Sequence, residues 1–285
     1  MISLFWAIFF SVLLFVVFKY FTKYNINTFQ AIVCNYIVAF IVGIYTTEQS
    51  ISIATTLQKP WLLYCMYLGS LFIAIFFTMG KTSQLNGVSV ASVASKMSLI
   101  IPVLFGLLFF KESIGFLKAI GIGTALFAVY FTTKKSTTTI ETTNFMFPIL
   151  LFFGSGIIDT SIHFIQKTKV PLADTSLFSS FTFLSAFLVG CLVFVYQHYK
   201  NQFEFHFKNL IGGIALGIPN YFSMYFLIRA LQNEKIQSAT LFTLINIGVI
   251  LLTTLIGLLL FKEKLKKQNY VGIALAILAL VLVSF

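Results

Sequence analysis

The chain has 285 residues, of which 59% are hydrophobic and 9% charged, with mean hydropathy +0.96 and 35 phenylalanines. So little polar surface cannot coat a soluble globule, so composition excludes a soluble enzyme and points to an all-α integral membrane protein. The net charge of +11 would suggest nucleic acid in a soluble protein; here the lysines cluster at the ends of apolar runs, where they meet anionic headgroups and orient the chain.

Apolar runs long enough to cross a hydrocarbon core of roughly 30 Å fall at 3–22, 28–47, 61–84, 88–110, 114–133, 146–166, 174–197, 209–232, 238–261 and 267–285. This predicts ten transmembrane helices, five in each half. Residues 1–20 lack a basic leader and an A-x-A exit, so the first run is expected to be a span and not a cleaved signal. Asn27-Thr28, Ser113, Asn144, Asp174 and Ser238 stand at helix starts, where their side chains suit the free amides of a first turn. The least hydrophobic connection, 134–144 (KKSTTTIETTN), falls between the fifth and sixth spans. It divides the chain into expected units 1–133 and 145–285. Cys34, Cys65 and Cys191 all lie in apolar runs and imply free core thiols, not a disulfide framework.

The fourth and ninth spans repeat one another. Leu104–Glu112 reads LFGLLFFKE and Leu255–Glu263 reads LIGLLLFKE, and the same offset brings Gly121, Ile122, Ala125 and Ala128 onto Gly272, Ile273, Ala276 and Ala279. Shared leucines carry little information in an apolar chain, but a shared Gly, Lys-Glu and Gly do. The chain therefore reads as a duplicated unit. Five spans put the ends of a unit on opposite sides of the membrane, so the second copy runs inverted, the arrangement that lets a central site face either side in turn. More lysines lie in the loops after spans one, five, seven and nine than in the alternate set, which favours a cytoplasmic location for those loops and an external one for both termini.

Polar residues inside the spans fall into stripes. Ser89, Ser92 and Lys96 recur at i, i+3, i+7 in span four. An unpaired lysine at such a depth costs roughly 2.5–3.5 kcal/mol on insertion scales, so the stripe faces inward. Ser155, Asp159, His163 and Gln166 share one face of span six. Two inward polar stripes would line a cavity. Arg229, the only arginine, follows Tyr221 and Tyr225 at four-residue spacing, and Asn246 matches Ser95, next to Lys96, at the repeat offset.

Each reading has a competitor. Lys96 is either a cavity residue or one half of a packing ion pair with Asp159, and the two can coexist if substrate breaks the pair. Asp159 and His163 are expected to carry a coupling proton, since histidine titrates near neutrality, against a satisfied polar contact. Tyr221 and Tyr225 would offer an aromatic wall, while Asn35 and Asn220 read mainly as packing residues and Lys81 as an interfacial lysine. Gly80-Lys81-Thr82 imitates the end of a phosphate-binding loop, but Ile75 stands where the first glycine belongs. Gly121-Ile122-Gly123 suits close helix packing better than a dinucleotide turn. No metal-ligand spacing, cofactor motif or nucleotide-binding domain is found.

Ten short helices in two halves, with spans four and nine each ending in an apolar-Gly-apolar run closed by Lys-Glu, resemble the drug/metabolite transporter superfamily of EamA type. Pro102–Gly121 and Leu255–Gly272 carry the resemblance best; Lys111 and Lys262 depart from it, standing where the family often has Gly before the Glu. The resemblance implies a secondary transporter, not an enzyme, that exports amino acids, metabolites or toxic compounds from a bacterial inner (plasma) membrane. A membrane-embedded lipid-modifying enzyme and a non-transporting sensor or structural protein are the alternatives. The expected substrate-binding residues are Lys96, Asp159, His163, Arg229, Asn246, Ser92, Tyr221 and Tyr225, with Asp159 and His163 coupling protons. Glu112 and Glu263 are expected to hydrogen-bond the turn into the helix that follows each. The expected partners are a small-molecule substrate, membrane lipid and, as one option, a second copy in a homodimer.

Overall fold

A computed structural model describes residues 2–46, 56, 58–102, 104–105, 115–133, 145–171, 174–200, 206–231 and 238–283. Ten helices run through them: α1 (Ile2–Lys23), α2 (Thr28–Tyr45), α3 (Leu62–Leu85), α4 (Val88–Met97), α5 (Phe116–Thr133), α6 (Met146–Lys169), α7 (Thr175–Tyr199), α8 (Phe207–Leu231), α9 (Ser238–Leu259) and α10 (Lys267–Val283). The spans at α1, α2, α3, α7 and α8 are by themselves long and apolar enough to cross a membrane, and the remaining apolar helices are shorter. The protein is an all-α, multi-pass membrane protein. The expected linker 134–144 and the caps Ser113 and Asn144 lie outside the described residues.

Helix contacts follow the two halves. Exchanging each helix with the one five places along maps α2 against α8 onto α7 against α3, α1 against α8 onto α6 against α3, and α1 against α9 onto α6 against α4; all of these contacts are present. The helices that this exchange pairs with each other run antiparallel. In α2 and α7, Val33 meets Gly190 while Gly43 meets Ser180. In α4 and α9, Ser92 meets Thr253 while Ser89 lies at Gly257. Antiparallel pairing of equivalent helices is the signature of inverted repeats.

Small residues and amides bring the helices together, as expected where lipid offers no hydrophobic drive for association. Gly69 of α3 lies against the backbone of Ala186, and Gly217 of α8 against Asn35 and Val38. Asn220 Nδ2 donates to Asn35 Oδ1 at 3.1 Å, and Asn209 Nδ2 to Gln30 Oε1 at 2.5 Å, so α2 and α8 are joined along their length by buried amides. Gly80 of the false phosphate loop packs on Phe18 and Thr28. Gly272 serves close packing of α5 on α10, whereas nothing stands within 4 Å of a Cβ built on Gly123, so close packing does not account for that glycine.

Asn27 caps α2 as expected, accepting from Phe29 and Gln30 amides at 3.1 and 3.2 Å. Asp174 stands at the start of α7 but makes no capping bond. Its carboxylate instead receives Lys59 Nζ at 2.9 Å and Trp61 Nε1 at 3.0 Å, joining the start of α3 to the start of α7. A neighbouring ammonium and indole N–H outcompete its own helix's amides.

Candidate functional site

The chemistry centres on a break in α4. The helix runs from Val88 to Met97, a turn occupies Ser98 and Leu99, and helical backbone resumes at Ile100. Pro102 explains the position of the break: it has no N–H to donate to the carbonyl of Ser98 four residues earlier. Ile101 N–H takes that carbonyl at 2.9 Å, and Ser98 Oγ turns back to Ser95 O at 2.5 Å. Thr253 holds the equivalent place in α9, and α9 is continuous through it.

Lys96 lies in the last turn before this break, half-buried, beside a small, mainly apolar cleft that it lines with Met97, Ala125, Ala279 and Leu280. Asp159 comes from α6, which packs on α4. Lys96 is its charged neighbour, and Ser98, whose hydroxyl donates to Ser95 O, lies nearby at the end of α4. No N–O distance of 4 Å or less joins Lys96 and Asp159; Lys59–Asp174 is the ion pair that closes to contact among the described residues. The two charges thus attract across a gap. Asp159 is exposed although it lies on the face of α6 opposite Phe153 and Ile157, which are 54% and 46% exposed on the outer side. Phe152 and Ser155, on the same inward face, are buried and half-buried.

The other expected site residues separate into groups. Ser92 is fully buried, donates to Ser89 O at 2.9 Å and lies 2.6 Å from Thr253 Oγ1, at the contact of α4 with α9. Asn246 is buried on α9, which packs on α1 and α4. His163 follows Asp159 by one turn of α6 backbone, and its side chain lies outside the described residues. Tyr221, Tyr225 and Arg229 form a ladder on α8, whose main neighbours are α1 and α2. Tyr221 stacks on Tyr225 at 6.1 Å and bonds Thr46 through its hydroxyl, and Arg229, exposed near the helix end, donates to Tyr225 Oη at 3.2 Å. The Lys96–Asp159 group and the Tyr221–Arg229 ladder are two places in the bundle, not one.

The expected role of Glu263 in its own turn is overturned. Its carboxylate lies over the start of α4, in the other half of the chain, where Oε1 accepts from Val88 N–H at 2.7 Å and Oε2 from Ser89 Oγ at 2.9 Å. The turn into α10 is closed instead by Asn269 Oδ1, which accepts from Lys266 N–H at 2.9 Å. Glu112 lies outside the described residues. Sequence reading also missed the break at Ser98 and Leu99; Pro102, four residues after Ser98, was the available signal.

The EamA-like transporter family model matches residues 146–285. An uncharacterised protein from Haemophilus influenzae is 33% identical over 288 residues, covering 98% of this chain and 96% of the relative. A crystal structure of a protein superposes with a TM-score of 0.59 at 14% identity, covering 97% of this chain and 96% of its own, a likeness of fold alone. With the duplicated Gly…Lys-Glu segments and antiparallel pairing of equivalent helices, these matches place the chain: it belongs to the EamA-like transporter family.

Proposed function

We propose that the protein is a secondary carrier that exports a small polar or amphipathic metabolite, an amino acid or related compound, by alternating access. The observation that carries this reading is the gap between Lys96 and Asp159 beside the broken α4. An ammonium and a carboxylate on two packed helices that do not close into an ion pair offer complementary ends to a zwitterion: Lys96 holds its carboxylate and Asp159 its amine, or the coupling proton when no amine is present. A discontinuous helix is where carriers commonly place substrate and ion sites, because the freed backbone groups need polar partners. His163, one turn from Asp159, passes the proton onward. Tyr221, Tyr225 and Arg229 line the approach at the far end of α8. The connections after α1, α7 and α9, which contain or are flanked by Lys19, Lys23, Lys200, Lys208, Lys262, Lys264, Lys266 and Lys267, face the cytoplasm of a bacterial inner membrane.

Thermal unfolding of the purified protein against amino acids, organic acids, sugars and nucleosides identifies the ligand, since a solute that binds only the folded protein raises its midpoint. Uptake of that solute into vesicles then tests the site. Lys96→Ala is expected to abolish saturable uptake while leaving expression and unfolding near those of the unsubstituted protein. Normal uptake by Lys96→Ala overturns the assignment.

A further inference from the structure

We propose that Glu263 is a positioning residue for transport: the second half of the chain uses it to hold the helix that carries Lys96. Up to its break α4 is only ten residues long, and Val88 and Ser89 at its start are fully buried. Its first-turn amides have no partners within the helix, and no side chain of its own N-cap residue, Gly87, can satisfy them. Glu263 does so across the halves through Val88 N–H and Ser89 Oγ. A carboxylate suits this end of a helix, where the peptide dipoles leave partial positive charge. Lys96 stands at the opposite end, in the last turn before the break, where a cation is favoured. The half-helix is therefore charge-matched at both ends, by an acid of the second half and by the lysine of the proposed site.

The surroundings are shaped for this contact. Gly87 has φ 102, a conformation that glycine alone adopts freely, and a Cβ on it would stand 2.7 Å from Glu263 Oε1. A Cβ on Gly257 would stand 2.5 Å from Glu263 Oε2 and 2.7 Å from Ser89 Oγ. Gly257 and Glu263 are both shared by the repeated segments, and here the glycine makes room for the carboxylate six residues on. Lys262, with φ 51, reverses the chain so that Glu263 N–H reaches Gly257 O at 2.9 Å. Displacement of the α9–α10 turn is transmitted through Glu263 to α4. Over the eight residues from Val88, at about 1.5 Å each, the short rod carries that displacement to Lys96.

The part of the proposal that concerns transport rests on the carrier reading; the contact itself does not, and the two are measured separately. Hydrogen exchange of the reconstituted full chain reports the cap. Glu263→Ala and Gly257→Ala are each expected to speed exchange in the first turn of α4 by about tenfold or more, the factor carried by one charge-assisted hydrogen bond. The segment around Trp61 should keep its protection. Glu263→Gln, which retains one acceptor for Val88 N–H, should fall between. Positioning is read at residue 96: with Cys34, Cys65 and Cys191 replaced by alanine, the rate at which a small cationic methanethiosulfonate labels Lys96→Cys should change about tenfold when Glu263→Ala is added, and recover in part with Glu263→Gln. Unchanged exchange at Val88–Ala91 overturns the cap. Faster exchange there with unchanged labelling at position 96 overturns the positioning role, and equal loss of protection around Trp61 makes Glu263 a general stability residue, which also overturns it. Normal vesicle uptake by Lys96→Ala would sink the carrier site while leaving these readouts intact.

Discussion

At the scale of single residues, Lys262 shows what the sequence of this chain gives up. Members of the family often place glycine before the glutamate, and the backbone gives the reason: the residue there adopts φ 51, where a side chain costs roughly 1–2 kcal/mol relative to glycine. Lys262 is exposed, so its head group remains in solvent. Lys262→Gly should therefore relieve the strain. Allowing for the extra freedom that glycine gives the unfolded chain, a net gain of about 0.5–1 kcal/mol is expected, seen as a higher midpoint in detergent with hydrogen exchange at Val88 unchanged or slower. A lower midpoint would show that lysine at 262 stabilises the turn by a contact that outweighs its conformation.

At the scale of elements, the starts of α3 and α4 are both held by carboxylates of the second half, Asp174 at one end of the α3–α4 hairpin and Glu263 at the other. Asp174 lies outside the spans, and the Trp61 indole N–H, followed by Lys59, holds its carboxyl below the usual range against the opposing effect of burial. A carboxylate with a lowered folded-state pKa stabilises the fold fully above its unfolded value of about 3.9, and that stabilisation is lost as pH falls through the folded value. The difference in unfolding midpoint between the unsubstituted protein and Asp174→Asn should thus be constant from about pH 5 to 8 and shrink below about pH 4. A difference that grows on acidification would contradict this assignment. The two acids also mark the limit of what the chain discloses by itself. Periodicity exposed the spans and placed Ser89, Ser92 and Lys96 on a buried face of α4, and the repeated Gly…Lys-Glu pointed to duplicated halves. It could not tell that Asp174 reaches Trp61 or that Glu263 reaches Ser89, because both partners lie more than a hundred residues away and local spacing favours a cap on the residue's own helix. The same blindness merged Arg229 with Lys96, since depth along a helix is readable from sequence and lateral position in the bundle is not.

At the scale of the whole molecule, contacts between the halves at both ends of the α3–α4 hairpin lie on opposite sides of the Lys96–Asp159 gap, so exposing that gap to one side and then the other requires the halves to part at one end at a time. Whether a proton drives the exchange is tested at Asp159. Asp159→Asn imitates a carboxyl that never releases its proton. If Asp159 accepts the driving proton, the variant should lose accumulation driven by a pH gradient yet retain exchange of solute between compartments at equal pH, because binding and the rocking of the halves survive while the proton step does not. If Asp159 only balances Lys96, neutralising it leaves a half-buried ammonium without its opposite charge, and the penalty falls on the fold. Stability, gradient-driven uptake and exchange should then decline together. Side-by-side measurement of uptake and exchange in vesicles, with the unfolding midpoint of the same preparation, separates the two. The separation of Lys96 from Asp159 by more than contact distance favours the first outcome, since a pair held apart leaves room for a solute or a proton to come between them, and full activity of the variant in both assays would remove Asp159 from the mechanism.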